Sequence, residues 1–264
     1  MADFNPTTAS RAVLIEVMNV LGAFRDKIVL VGGWVPDLLY PNCGHMGSLD
    51  VDLAVSRDAT AATVYETILN RMIAAGYEHH LSPTCFTKAV VGVKEPVKVD
   101  LVGGQYVGGE KIGTIQVNEL GLNTLRGLDL AFDASQEIRI SGTMPDGSQN
   151  SVRARIVLPE GYILIKAFAL DERKKEKDAY DIYFTLVHYQ PNIESLAERV
   201  RALLSNGLAQ EGYGILKTKF ATLNSVGPSW AARVAQEQGE DFEQAQRSAF
   251  EYAQALFATA ESND

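Results

Sequence analysis

The sequence predicts an α/β domain with a mixed sheet over residues 1–157, followed by an all-helical domain over 158–264. Three observations carry that expectation. Short apolar runs with period-two alternation recur through the first part: KIVLV at 27–31, LDVDLAV at 49–55 and VKVDLV at 97–102. From Pro159 onward every apolar pattern has helical period and strand signals vanish. The chain of 264 residues is long enough for one large or two small domains.

Composition narrows the class further. With 46% apolar and 22% charged residues, neither a disordered chain nor a fibre is expected. No apolar stretch approaches the ~20 residues of a membrane helix. The start, MADFNPTTAS, has no apolar core of a secretory signal. Cys43 and Cys85 cannot build a disulfide framework, and a reducing cytoplasmic location is expected. Thirty-three acids against 24 bases give a net charge of −9, which argues against a broad phosphate-gripping surface and leaves room only for a local basic patch.

Taken in order, residues 8–24 place Val13, Leu14, Val17, Met18 and Leu21 at helical spacing. KIVLV then reads as a buried strand ended by Gly32-Gly33, and a short helix runs from Trp34 to about Tyr40. In LDVDLAV the alternation sends Asp50 and Asp52 to one face, and Leu49, Val51, Leu53 and Val55 to the core. Residues 59–75 are helical, with Gly76 as C-cap. Strands follow at about 84–92, 97–102, 136–141 and 151–158, the last two around the turn cluster MPDGSQN. The helical part contains GYILIKAFAL, DAYDIYFTLVHY, IESLAERVRALL and FEQAQRSAFEYAQALFATA. The charge run DERKKEKD at 171–178 is expected to be a solvated connector between two of these helices.

Three aspartates concentrate the chemistry. Asp50 and Asp52 lie ~7 Å apart along one strand face, a natural clamp for a divalent cation. Asp100 in VKVDLV joins them if its strand pairs beside theirs. Three acids in one place repel by roughly 1–4 kcal/mol per pair near a surface unless a cation neutralises them. Magnesium suits such a set, because it keeps positions for phosphate oxygens. The Gly32-Gly33 turn opens a helix, where free N–H groups can meet phosphate and no Cβ blocks approach. It is neither a dinucleotide fingerprint nor a P-loop.

This combination, VGGW at 31–34, LDVDL at 49–53 and VDL at 99–101, resembles the DNA polymerase β-like nucleotidyltransferase superfamily. The segment GGWVPDLLY…HMGSLDVDLAV looks like the AbiEii/MenT-type toxin and aminoglycoside-nucleotidyltransferase-like branches. A downstream helix lysine and an RD-x-x-D pattern of the AbiEii-like branch are matched by Lys166 and by Lys177-Asp178-x-x-Asp181. Lysine stands where arginine is usual, which keeps the charge and loses the planar fork. The resemblance spans about residues 28–186.

It implies a nucleotidyltransferase with an α/β nucleotidyltransferase domain, moving a nucleoside monophosphate from an NTP to an acceptor hydroxyl. Asp50, Asp52 and Asp100 would then hold Mg2+ or Mn2+, with Asp100 nearest the acceptor. Lys166 would meet the triphosphate from the helical domain across a shared cleft, and Gly32, Gly33, Ser48, Asp178 and Asp181 would complete the nucleotide site. The acceptor is a tRNA or a protein for a toxin or defence enzyme, with an antitoxin as possible partner, or a small hydroxyl compound such as an aminoglycoside. A binding protein that has lost catalysis is the alternative of another class.

Blander readings stand beside these. Lys166 can be a lysine snorkelling from an apolar helix, and Asp178 and Asp181 a helix-surface ion pair. Cys43, His45, His79, His80 and Cys85 match no zinc spacing, and the histidines are expected at the surface. Gly103-Gly104 and Gly108-Gly109 read as a loop after Asp100. Trp34, Tyr180 and Tyr183 read as packing residues.

Overall fold

A computed structural model describes residues 4–56, 59, 62–81, 84–105, 114–117 and 120–262. The chain forms two compact units: Met1–Leu38 with Gly47–Val157, and Leu39–Met46 with Leu158–Asp264. Residues 39–46 thus cluster with the helical unit, although they lie within the first part of the sequence.

The first unit is built on one mixed sheet of nine strands among the described residues. These are β1 (Ile28–Val31), β2 (Asp50–Val55), β3 (Glu78–Leu81), β4 (Thr84–Lys88), β5 (Val97–Gly104), β6 (Thr114–Val117), β7 (Leu120–Leu125), β8 (Ser135–Thr143) and β9 (Gln149–Val157). Their order is β3-β4-β5-β2-β1-β9-β8, with β7 also pairing β5 and β6 pairing β7. Strands β2 and β5 run parallel, as do β1 and β9, whereas β1 and β2 are antiparallel. Gly103 and Gly104 extend β5 and pair with β7, so they are strand rather than loop; Gly108 and Gly109 lie outside the described residues.

Helix α1 (Pro6–Val20) starts at Asn5, whose side chain accepts from Thr8 N–H while Thr8 caps Asn5 in return. It buries Val13, Leu14, Val17 and Met18 and packs on β8 and β9, so closely that a Cβ at Gly142 would stand 2.9 Å from Ile15 Cδ1. Helix α2 (Trp34–Leu39) is short; Trp34 is buried and donates its indole N–H to Ser10 Oγ at 3.0 Å. Helix α3 (Ala62–Ala74) ends in a Schellman motif, Tyr77 N–H on Met72 C=O and Gly76 N–H on Ile73 C=O, with Gly76 at φ +80°. A four-residue helix, α4 (Leu130–Asp133), precedes β8.

The second unit is helical: α5 (Pro159–Arg173), α6 (Glu176–His188), α7 (Ile193–Leu203), α8 (Gly207–Lys219), α9 (Val226–Glu237) and α10 (Phe242–Glu261). Asn192, Asn206 and Asp241 cap α7, α8 and α10 through side-chain oxygens that accept backbone N–H groups. Gly212 lets α8 approach α5, since a Cβ there would meet Phe168 at 2.9 Å. The charge run 171–178 belongs mostly to helix ends: α5 continues to Arg173 and α6 begins at Glu176, leaving two connecting residues. The helices extend through it because Arg173 and Lys177 each find a carboxylate on α6.

Candidate active site

The aspartates of the first unit are brought together by strand register. Asp52 of β2 and Asp100 of β5 are Cα partners on adjacent parallel strands, and Asp50 is partner to Lys98. Register partners share a face, and neighbouring strands are about 4.8 Å apart. One face therefore carries Asp50, Asp52, Asp100 and Lys98. Val51, Leu53 and Val55 point the other way and are fully buried. Leu49 departs from the expectation: it precedes β2, and at 58% exposure it lies outside the core. Ser48, half-buried, accepts the Asp50 N–H on its hydroxyl at 3.4 Å.

Asp52 depends on the glycine turn. Val31 of β1 pairs with Asp52, and Gly32 follows at φ +75°. A Cβ on Gly32 would fall 2.0 Å from Asp52 Oδ2, so the carboxylate lies against the turn where any other side chain would be. Gly33 is buried, and Val35 N–H donates to Gly32 C=O at 3.3 Å.

Lys98 is the residue that sequence reasoning passed over. Its ammonium donates to Asp100 Oδ2 at 2.7 Å. Burial pulls the lysine pKa down, but the hydrogen bond and charge of Asp100, with Asp50 behind, more than offset this and hold it above its ordinary value. The signal was present: Lys98 stands two residues before Asp100, and alternation alone puts both on one face.

The donor set of Asp50, Asp52 and Asp100 is hard carboxylate oxygen, the chemistry that magnesium takes. As the side chains are placed, no three His, Cys, Asp or Glu residues among those described converge as a metal cluster. Asp100 instead holds Lys98. The residues fit a divalent cation in donor type and register, with Lys98 supplying positive charge at the same face.

In the second unit Lys166 is buried on α5 and does not snorkel. Its ammonium reaches Asp178 Oδ1 at 2.8 Å and Asp181 Oδ2 at 2.7 Å. Asp178 also accepts from Arg173, and Asp181 from Lys177 at 3.1 Å. Asp178 and Asp181 are thus buried holders of Lys166 rather than a surface ion pair. Burial alone would depress the lysine, but Asp181 and Asp178 outweigh it and raise its pKa.

His45 completes this network, contrary to the expected surface location. Its ring is fully buried, with Nε2 3.0 Å from Asp181 Oδ1, and it stacks on Tyr180 with ring centroids 5.7 Å apart. The reason is its membership of the 39–46 segment, which clusters with α6 across 136 residues of sequence. Nothing in the local pattern around His45 signals that partner. His80 is exposed and His79 half-buried; Cys43 is exposed and Cys85 buried. Tyr180 and Tyr183 are buried, as expected for packing residues, and Tyr183 also donates to Glu240 at 2.9 Å.

No family model and no curated protein matches the sequence. Among solved structures, the chain is similar to JHP933 from Helicobacter pylori, with TM-score 0.44 and 16% identity over 95% of this chain and 94% of that one. It is similar in the same degree to a candidate nucleotidyltransferase from H. pylori, with TM-score 0.44 and 16% identity over 95% and 96% of the two chains. No helix among the described residues is long and apolar enough to cross a membrane.

Proposed function

We propose that this chain is a metal-dependent nucleotidyltransferase of the AbiEii-like kind, moving a nucleoside monophosphate from an NTP to an acceptor hydroxyl, with RNA as the acceptor class. The observation that supports this reading is the parallel register of Asp52 with Asp100, with Asp50 on the same face. Two adjacent strands then present three carboxylates to one side, a costly arrangement for a merely structural sheet.

Asp50 and Asp52 would hold Mg2+ or Mn2+, which supplies charge neutralisation at the phosphates and acidifies the attacking hydroxyl. The Gly32 turn leaves room for the Asp52 carboxylate, which lies where a Cβ at position 32 would be. Asp100, on the same face, would take the proton of the acceptor hydroxyl. Lys98 limits the repulsion among the three acids and offers a donor for a phosphate oxygen. In the helical unit, Lys166 keeps its charge because two carboxylates stabilise the ammonium.

The test is incubation of the pure protein with each α-labelled NTP, magnesium and total RNA, with small hydroxyl compounds in a parallel arm. Label on RNA, lost in Asp52→Asn, supports the reading. Label only on a small compound moves the acceptor to that class. No transfer with any NTP, with magnesium or with manganese in its place, overturns it.

A further inference from the structure

We infer that the exposed face of the β8–β9 hairpin is a docking surface for the sugar-phosphate backbone of RNA. In this hairpin Glu137 faces Arg155, Arg139 faces Arg153 and Ser141 faces Ser151. All six lie on the face opposite Ile140, Val152 and Ala154, which are buried. Two arginines directly opposite one another on neighbouring strands repel, and a sheet evolving for stability alone has no use for such a pair.

The surrounding charges do not cancel it. Glu137 accepts from Arg153 at 3.2 Å and lies 3.7 Å from Arg25, so one acid is shared by two arginines. Arg139 and Arg155 make no ion pair among the described residues. The strip of Arg25, Arg139, Arg153 and Arg155 with Glu137 therefore carries a local excess of positive charge on a chain whose net charge is −9. Phosphate is the matching partner, since the guanidinium fork binds its oxygens in pairs and a row of cations suits a row of anions. Ser141 and Ser151, 2.9 Å apart, continue the row with hydroxyls that can meet phosphate and the 2′-OH of ribose.

Register also places this row relative to the acids. Leu30 is partner to both Leu53 and Ile156, so Val31, Asp52 and the odd-numbered residues of β9 share the other face. Arg155 is two strands across and two residues along from Asp52, about 12 Å by strand geometry. A strand of nucleic acid held by the arginines thus lies within a few nucleotides of the carboxylates. The choice of RNA as occupant rests on the nucleotidyl-transfer reading; the phosphate-binding surface does not.

The experiment is fluorescence anisotropy of a labelled 20-nucleotide single-stranded RNA with the full chain, in EDTA and without NTP, over a series of NaCl concentrations. This omits the metal and the nucleotide that transfer needs, so the binding result stands whether or not the protein proves to be a transferase. Arg139→Gln/Arg153→Gln/Arg155→Gln should weaken binding about 10- to 100-fold and lower the salt slope by about 2, from roughly 0.7 per phosphate contact. Its Tm should be unchanged or higher, because facing like charges are removed. Arg139→Gln alone should lower the slope by about 0.7. Neutralising Lys94, Lys175 and Lys217 together should leave binding near wild type. Wild-type binding by the triple variant, an equal loss in the lysine control, or arginine-dependent binding of phosphatidylserine vesicles stronger than that of RNA would each overturn the inference.

Discussion

A Cβ on Gly32 would lie 2.0 Å from Oδ2 of Asp52 and 2.8 Å from its Cβ. The turn after β1 is therefore shaped around a carboxylate of β2, and its glycine serves Asp52 before it serves any ligand. At φ +75° the position also disfavours an L side chain in its own right.

Gly32→Ala should accordingly cost about 1–3 kcal/mol of stability, from left-handed strain and displacement of Asp52. Part of that cost belongs to the contact itself. Measured by chemical denaturation, the losses from Gly32→Ala and Asp52→Ala should sum to more than the loss in the double variant. Strict additivity would show that the two residues do not constrain each other.

Replacing Asp50 or Asp52 by Asn keeps shape and removes one of three like charges on a shared face. Without metal, thermal stability should hold or rise slightly. Nucleotide transfer should meanwhile fall by several orders of magnitude, since a ligand for charge neutralisation and hydroxyl activation is gone. Opposite signs separate a functional site from a structural cluster. An Asp52→Asn protein that melts markedly lower without metal yet retains transfer would make these aspartates structural.

Lys98 predicts a third contrast. Lys98→Met removes the ammonium 2.7 Å from Asp100 and leaves the acids facing one another. Its Tm in EDTA should drop, and saturating Mn2+ should restore it to a larger degree than in wild type. Mn2+ titration followed by electron paramagnetic resonance should give tighter binding in the variant, because a competing cation has gone. Equal Mn2+ affinity in the two proteins would mean that Lys98 and the metal use separate places.

The Lys166–Asp181 pair predicts a pH dependence. Burial would raise the Asp181 pKa, but Lys166, then Lys177, and the His45 hydrogen bond outweigh it and hold the carboxyl far below its ordinary range. A depressed carboxylate contributes stability that is complete above the unfolded value, roughly 3.9, and lost as pH falls toward the folded one. Lys166 is raised, so its share is complete below an unfolded value of roughly 10.4 and lost above it. Asp181→Asn, which leaves buried Lys166 short of a partner, should cost about 3–5 kcal/mol at neutral pH. That deficit should shrink below about pH 4, where the carboxyl takes up a proton in the unfolded wild-type chain while the folded one stays charged, so that the wild-type advantage falls. A deficit constant from pH 7 to pH 2 in urea unfolding would exclude the ionic origin.

Within single elements the sequence was a good guide. Alternation put Asp50 and Asp52 on one face of β2, because strand side chains have a strict period of two. It would equally have put Lys98 with Asp100, had the lysine been counted with its strand. Helical period marked α1, α3, α5, α6, α7 and α10, and Gly76 marked the end of α3. Each of these follows from local geometry, which the chain carries in residues a few positions apart.

Leu49 shows where that logic stops, since period two applies only once the strand begins at Asp50. The sequence by itself determined which residues are acidic, which face of its own strand each takes, and where sheet gives way to helix. Only tertiary structure decided that β2 lies parallel to β5 with Asp52 level with Asp100, that Gly32 yields its space to Asp52, and that Asp181 is shared by Lys166 and His45. The physical reason is separation: register between strands 48 residues apart, and a histidine placed 136 residues before its carboxylate, are set by how whole elements bury their apolar faces. No local period encodes that outcome.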